Sequence, residues 1–268
     1  MTYSLAEIRN SRGQKLAWER QYPLSNWVIR PVSFYVAFLI LRITHSPSRV
    51  ALVGFSLGVA SCVLFILLPA GTVWPAILLL VFYDLLDAVD GTVARTTRNV
   101  THFGRFLDGV IGEIVEGSYC FCLGVGLYLA DGTTLVRYAW STADPWQRRT
   151  LFAAAALITF GKHFCTVIQS SYYRLLASRQ ASQGIAGARV EAEVQSSSFR
   201  GNLGYLVFEN IHTFDIQVAA LILGAIFGAL DLFLLAYALY YSIRFCVFAL
   251  FYYRRARATL QGGAGTKD

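Results

Sequence analysis

The chain has 268 residues, of which 56% are hydrophobic, 15% aromatic and only 15% charged, and its mean hydropathy is +0.50. Soluble domains carry about 25% charged and roughly 45–50% apolar residues, so this composition excludes a disordered chain and disfavours an ordinary soluble enzyme. The formal net charge of +7 is typical of the basic loops of a membrane protein, and we do not interpret it as a nucleic-acid-binding surface.

Apolar runs of about 20 residues predict an all-α integral membrane bundle of six transmembrane helices. Residues 1–44 mix Leu and Trp with Arg and Lys, which predicts an N-terminal interfacial amphipathic helix lying on the bilayer. We expect the transmembrane domain over residues 45–256 and a disordered cytoplasmic tail over 257–268. The six predicted spans are 49–70, 73–96, 103–130, 150–176, 205–228 and 231–253.

The distribution of basic residues predicts the orientation of the bundle. Lys and Arg concentrate in the N-terminal segment, between spans two and three, after span four and in the tail. The positive-inside rule then places both termini in the cytoplasm. The first thirty residues show no cleavable signal peptide, because they are polar and charged. This pattern suits a bacterial or archaeal cytoplasmic membrane.

Carboxylates inside membrane helices are costly and indicate a functional site. A short turn joins spans two and three, so their acidic side chains are expected to face each other at one depth. Hard oxygen ligands in this number suit Mg²⁺, Mn²⁺ or Ca²⁺. Ion pairs with the nearby arginines, or a proton pathway, are the alternatives. The acidic residues are Asp84, Asp87, Asp90, Asp108, Glu113 and Glu116.

The residues around the turn between spans two and three also form a longer motif. It consists of Asp87, Asp90, Gly91, Ala94, Arg95, Gly104 and Asp108. This motif closely resembles the CDP-alcohol phosphotransferase signature, D-x2-D-G-x2-A-R-x8-G-x3-D-x3-D, with every spacing preserved. The resemblance implies a membrane enzyme of phospholipid biosynthesis that moves a substituted phosphate from a CDP-alcohol to an acceptor hydroxyl and releases CMP. CDP-diacylglycerol is the expected donor, and CDP-choline or CDP-ethanolamine with a lipid acceptor is the alternative.

The resemblance also implies roles for individual residues. Asp87, Asp90 and Asp108 would hold Mg²⁺ or Mn²⁺. Arg95 would pair with these acids or with the diphosphate, while small residues would leave room for the nucleotide. The residues so assigned to the nucleotide are Gly91, Ala94, Arg95 and Gly104. Family members are commonly dimeric, so the resemblance further implies a homodimer embedded among membrane lipids.

One position departs from the signature, because Gly112 stands where the family has its last Asp. In the family that Asp is a metal ligand and the proposed general base. At about 100° per residue, Glu113 lies roughly 140° from Asp108 and Glu116 lies roughly 80° from it, one turn deeper. A one-residue π-bulge at Gly112 would bring Glu113 into register; alternatively, Glu116 would reach back one turn. We favour Glu113, because it is only one position away.

The acceptor is less well specified by the sequence. A phosphorylated acceptor would need a basic pocket, whereas Glu209 and Asp215, near the start of span five, would suit a neutral or amino-alcohol acceptor. Lys162 lies in an apolar run and either faces the cavity or pairs with an acid such as Glu116. The candidate basic residues are Arg98, Arg105, Lys162 and Arg174.

Two other functional classes remain. A cation transporter would distribute its acids along a path across the membrane, whereas here they gather near one face. A catalytically degenerate family member acting as a scaffold would explain Gly112. Substitution of Asp87 separates the enzyme from the scaffold, because only the enzyme would lose turnover.

Overall fold

The computed structural model describes residues 3–13, 22–67, 73–129, 144–182 and 203–261, and every regular element in these ranges is helical. The predicted all-α class is therefore confirmed. The predicted loop residues 131–143 and 183–202 and the tail residues 262–268 lie outside the described residues. The helices are α1 (Leu5–Asn10), α2 (Arg30–Ile40), α3 (Pro47–Leu67), α4 (Val73–Thr96), α5 (His102–Leu129), α6 (Pro145–Ser182), α7 (Leu203–His212), α8 (Phe214–Ile226) and α9 (Leu230–Gln261).

Four described helices, α3, α5, α6 and α9, are long and apolar enough to cross a membrane. An integral membrane bundle therefore fits, but the predicted count of six spans is not confirmed. Helix α4 has 24 residues but carries three aspartates, and the predicted fifth span is divided into α7 and α8. The last helix continues to Gln261, so residues 257–261, which we expected in a disordered tail, are helical.

The division of the fifth span occurs at Thr213, whose backbone is extended (φ −65°, ψ 144°). Gln217, only 1% exposed, offsets the break. Its Nε2 donates to the His212 carbonyl at 2.7 Å and to the Tyr241 hydroxyl at 2.9 Å, while its Oε1 accepts from the Tyr119 hydroxyl at 2.8 Å. Because buried polar groups must be paired in a membrane, one glutamine ties α8 to α5 and α9.

The helices pack in an order that closes on itself. Helix α3 lies between α4 and α5, α5 packs on α6, α6 on α9, and α8 contacts both α9 and α4. Within the bundle, the aromatic side chains of Tyr83 and Tyr119 both contact Phe214 edge-on, at 5.6 Å between ring centroids. Edge-to-face aromatic pairs add about 0.5–1.5 kcal/mol beyond area burial. This packing order brings the acidic C-terminal end of α4 and the acidic N-terminal end of α5 beside α6, α7 and α8.

Close helix contacts depend on glycines at two positions. A Cβ on Gly58 of α3 would lie 2.7 Å from the Val115 methyl groups of α5, and a Cβ on Gly124 of α5 would lie 2.2 Å from the Cβ of Ala155 on α6. Small residues let membrane helices approach closely. These two contacts set the position of α5, the helix that carries Asp108 and Glu116.

The N-terminal segment packs against the polar end of the bundle. Helix α1 begins with a capping box, in which Ser4 and Glu7 bond to each other's backbone amides. The Ser4 amide and hydroxyl both donate to the Glu7 carboxylate, and these hydrogen bonds lower the pKa of Glu7. A π-helical segment, Ser25–Ile29, leads directly into α2, and the Arg30 guanidinium donates to the Ala88 carbonyl of α4 at 3.1 Å. The segment predicted to lie on the bilayer therefore also contacts the helix that carries the motif.

Candidate active site

A tight turn brings the acidic ends of α4 and α5 together. Helix α4 is followed by Arg98, whose backbone lies in the left-handed region (φ 54°). The Asn99 amide donates to the Ala94 carbonyl at 2.9 Å, the long hydrogen bond of a Schellman motif. Helix α5 is then capped by Thr101, whose hydroxyl accepts from the Gly104 amide at 2.9 Å. The turn fixes where α4 ends and where α5 begins, and it thereby sets the separation of Asp90 and Asp108.

Three motif carboxylates converge beyond this turn. Asp87, Asp90 and Asp108 each offer an oxygen, and these oxygens lie within 4.8 Å of one another. Asp90 is buried, Asp87 half-buried and Asp108 exposed, so the cluster opens to one side. Oxygens bound to one Mg²⁺, Mn²⁺ or Ca²⁺ at about 2.0–2.6 Å lie at most about 4–5 Å apart. The donor set and its spacing therefore fit a divalent cation.

A cavity of about 340 Å³ adjoins the carboxylates and is bounded by the ends of α3, α4 and α5. The guanidinium of Arg95 folds back over Gly91, where a Cβ would lie 3.3 Å from its Nη1. A side chain at position 91 would therefore displace Arg95. Every residue that the motif assigned to the nucleotide lines this cavity, together with two of the carboxylates: Asp90, Gly91, Ala94, Arg95, Gly104 and Asp108.

The two glutamates near Gly112 lie in different surroundings. Helix α5 is regular α-helix from His102 to Leu129, so the bulge that would have brought Glu113 into register does not form. Glu113, whose side chain is 44% exposed, instead contacts His163 at 3.0 Å. The Glu116 side chain extends toward Gly112: its Oε1 lies 3.6 Å from where a Cβ on Gly112 would be. The Glu116 carboxylate therefore reaches toward the space that the missing aspartate would occupy.

Lys162 of α6 contacts Glu116, with 3.2 Å between Nζ and Oε2. The Lys162 side chain is 9% exposed, and its ammonium lies 5.9 Å from the centre of the Phe214 ring. Both alternatives considered for Lys162 hold, because it pairs with Glu116 and also faces a cavity. This second cavity, of about 290 Å³, includes Glu209 and Asp215 in its lining.

The four candidate basic residues do not gather into one pocket. Arg105 lines the first cavity and Lys162 the second. Arg98 occupies the turn, and neither Arg98 nor Arg174 is among the described lining residues of the two cavities. Both are exposed. The structure therefore does not bring these four residues together.

Two arginines in the site region were missed by the sequence interpretation. Arg30 lines the second cavity, although we had counted it only toward orientation. Arg244 of α9 is 3% exposed and bonds Glu209 through both terminal nitrogens, at 3.0 and 3.3 Å. A basic residue within an apolar membrane helix is itself a signal for function, and Arg244 lies in such a run.

Comparison with known proteins gives a consistent picture. A family model described as CDP-alcohol phosphatidyltransferase matches residues 44–243. A phosphatidylinositol phosphate synthase of Mycobacterium marinum is 33% identical over 79 residues, which is 30% of this chain and 33% of that protein. One of Corynebacterium glutamicum is 36% identical over 86 residues, which is 31% of this chain and 37% of that protein. The chain thus matches about a third of the length of these curated relatives.

Proposed function

This chain belongs to the CDP-alcohol phosphatidyltransferase family, and from that membership we propose that it transfers a substituted phosphate from a CDP-alcohol to an acceptor hydroxyl. The acceptor oxygen bonds to the phosphorus that carries the alcohol group. The bond from that phosphorus to the bridging oxygen breaks, and CMP leaves. The donor is CDP-diacylglycerol, and the product is a phospholipid.

The observation that carries this proposal is the joint placement of the carboxylate cluster and the first cavity. Asp87, Asp90 and Asp108 present oxygens within 4.8 Å of one another, and two of them line the cavity whose walls include Gly91 and Arg95. Mg²⁺ or Mn²⁺ held by these carboxylates would neutralise the diphosphate and the departing CMP. Arg95 adds a guanidinium that suits phosphate oxygens, and Gly91 leaves space for the nucleotide.

Glu116 is the residue we assign as general base in place of the missing aspartate. Its carboxylate lies beside the space that a side chain at position 112 would occupy. It also interacts electrostatically with Asp87. Glu116 lines the second cavity as well, the space that we assign to the acceptor. A base must reach the proton that it removes, and Glu116 meets this condition better than Glu113, which pairs with His163.

The membrane setting follows from family membership and the four long apolar helices, which indicate an integral membrane protein. We further propose that both termini and the active site lie toward the cytoplasm of a bacterial cytoplasmic membrane. The basic residues around the turn, Arg95, Arg98 and Arg105, support this orientation. A homodimer is part of the same proposal.

The test is CMP release by the purified protein in lipid nanodiscs. CDP-diacylglycerol and CDP-choline are offered separately, each with a pool of acceptor alcohols, and the mass of the new lipid identifies the product. We expect CMP from CDP-diacylglycerol, loss of at least 100-fold in Asp90→Asn, and wild-type rates in Asp144→Asn. Asp144 is exposed and caps α6 through the Trp146 amide, so this control removes a distant charge. Folded protein that releases no CMP from either donor contradicts the proposal.

A further inference from the structure

The second cavity is lined by charges of both signs that already have partners. Lys162 pairs with Glu116 at 3.2 Å, and Glu209 is held by both terminal nitrogens of Arg244. Arg30 donates to the Ala88 carbonyl at 3.1 Å. Among the described lining residues of this cavity, each basic side chain is therefore already engaged by protein.

Asp215 adds a further acid to the same wall. It lies at the start of α8, and its carboxyl interacts electrostatically with that of Asp84 on α4. The remaining polar groups of the described lining belong to Tyr22, Ser25, His212 and Thr213. Among these described residues, the acids therefore at least match the bases.

Arg30, whose guanidinium donates to a backbone carbonyl, would meet one charge of a phosphate dianion in this cavity, but the second charge would need a cation taken away from its carboxylate. Either Lys162 would leave Glu116 or Arg244 would leave Glu209, and the abandoned carboxylate would stay in the bundle interior. Breaking a buried ion pair in this way is strongly unfavourable, because an uncompensated charge remains. An uncharged polyol has no such requirement, since its hydroxyls both donate to carboxylates and accept from Lys162, Tyr22 or Ser25.

We infer that this chain's acceptor is an uncharged polyol rather than a phosphorylated alcohol. The inference rests on the proposed function and names the acceptor class of that same site. The cavity, at about 290 Å³, lies near the lower end of the range for ligand pockets, about 300–1,000 Å³, which suits a small polyol. Glu116 lines it, so a hydroxyl bound there lies beside the residue that we assign as the base.

Matched acceptor pairs test the inference in the wild-type protein. With CDP-diacylglycerol and Mg²⁺, CMP release is measured with myo-inositol against inositol 1-phosphate, and with glycerol against glycerol 3-phosphate. We expect kcat/KM for the better polyol to exceed that for its phosphate ester at least tenfold. A phosphate ester used as well as its polyol, or better, overturns the inference and leaves the proposed phosphotransfer standing.

Direct binding separates failure of the inference from failure of the proposed function. Equilibrium binding of radiolabelled myo-inositol, glycerol and their phosphate esters to the protein in nanodiscs needs no turnover. If CMP is never released but at least one polyol binds more tightly than its phosphate ester, the proposed function fails and the acceptor inference holds. Tighter binding of both phosphate esters than of their polyols, or no polyol binding at all, overturns the inference.

A variant sharpens the same test by freeing one cation. Glu209→Gln removes the carboxylate that holds Arg244 and that lines the cavity assigned to the polyol, so we expect KM for the phosphate ester to fall about tenfold while KM for the polyol does not fall. Asp144→Asn removes an exposed charge elsewhere and is the matched control. An unchanged KM for the phosphate ester in folded Glu209→Gln counts against the charge argument; if this variant does not fold, the wild-type pairs decide the matter.

Discussion

Replacing Glu116 by Gln tests the assignment of the general base. The substitution keeps the shape of the side chain, and the amide oxygen still accepts a hydrogen bond from Lys162, which contacts Glu116 at 3.2 Å. What it removes is a carboxylate able to take the acceptor's proton. We therefore expect a loss of kcat with little change in the binding of the donor.

The size of the loss follows from the role. General acid–base groups contribute typically about 10²–10⁴-fold, equivalent to roughly 2.7–5.5 kcal/mol of transition-state stabilisation. Because the Glu116 Oε1 lies 3.6 Å from where a Cβ on Gly112 would be, an aspartate at position 112 would enter the same space. We expect the double variant Gly112→Asp/Glu116→Gln to recover at least tenfold of the lost activity.

The assay is steady-state CMP release from CDP-diacylglycerol, with thermal unfolding in detergent measured on every variant. Glu113→Gln is the competing candidate: Glu113 contacts His163, and we expect its substitution to cost less than threefold. Asp144→Asn serves as the charge control. Loss of activity in folded Glu113→Gln with wild-type rates in folded Glu116→Gln would refute the reasoning and restore the choice made from the sequence.

Two further predictions concern stability and the turn. Gly124→Ala places a Cβ 2.2 Å from that of Ala155, so we expect overpacking to destabilise the bundle by about 1–3 kcal/mol, measured as a lower midpoint of thermal unfolding; an unchanged midpoint would mean that α5 and α6 do not approach this closely. Arg98 has a φ of 54°, which costs an L-residue about 1–2 kcal/mol relative to glycine, so Arg98→Gly is expected to raise the unfolding midpoint without changing acceptor KM. A raised KM would instead give Arg98 a role in binding.

The spacing of the motif allowed the first cavity and the carboxylate cluster to be predicted. Asp87, Asp90 and Asp108 lie on two helices joined by a short turn, so local geometry alone brings them together. Four of the six predicted spans correspond to long apolar helices, α3, α5, α6 and α9, and they were predictable because the bilayer dictates their length. The division at Thr213 was not, since the hydrogen bonds that compensate for it come from Gln217, whose partners Tyr119 and Tyr241 lie on other helices.

The second cavity depends on contacts between residues far apart in the chain. Lys162 and Glu116 are 46 positions apart, and Arg244 and Glu209 are 35 apart. Sequence spacing carries no information on such pairs, although intramembrane charge marks each member as a candidate. Glu113 was favoured because a bulge at Gly112 was assumed, whereas α5 continues as regular helix.

The central claim is that three carboxylates hold a divalent cation for CDP-alcohol chemistry, and the most direct measurement is metal-dependent CMP release. Wild-type protein in nanodiscs is assayed with CDP-diacylglycerol in Mg²⁺, in Mn²⁺ and in EDTA, beside Asp87→Asn and Asp144→Asn. The account predicts that EDTA abolishes CMP release by the wild type and by Asp144→Asn, and that Mg²⁺ or Mn²⁺ restores it. It also predicts that folded Asp87→Asn loses at least 100-fold of the rate of CMP release. CMP release that persists in EDTA, or full activity in Asp87→Asn, would contradict it.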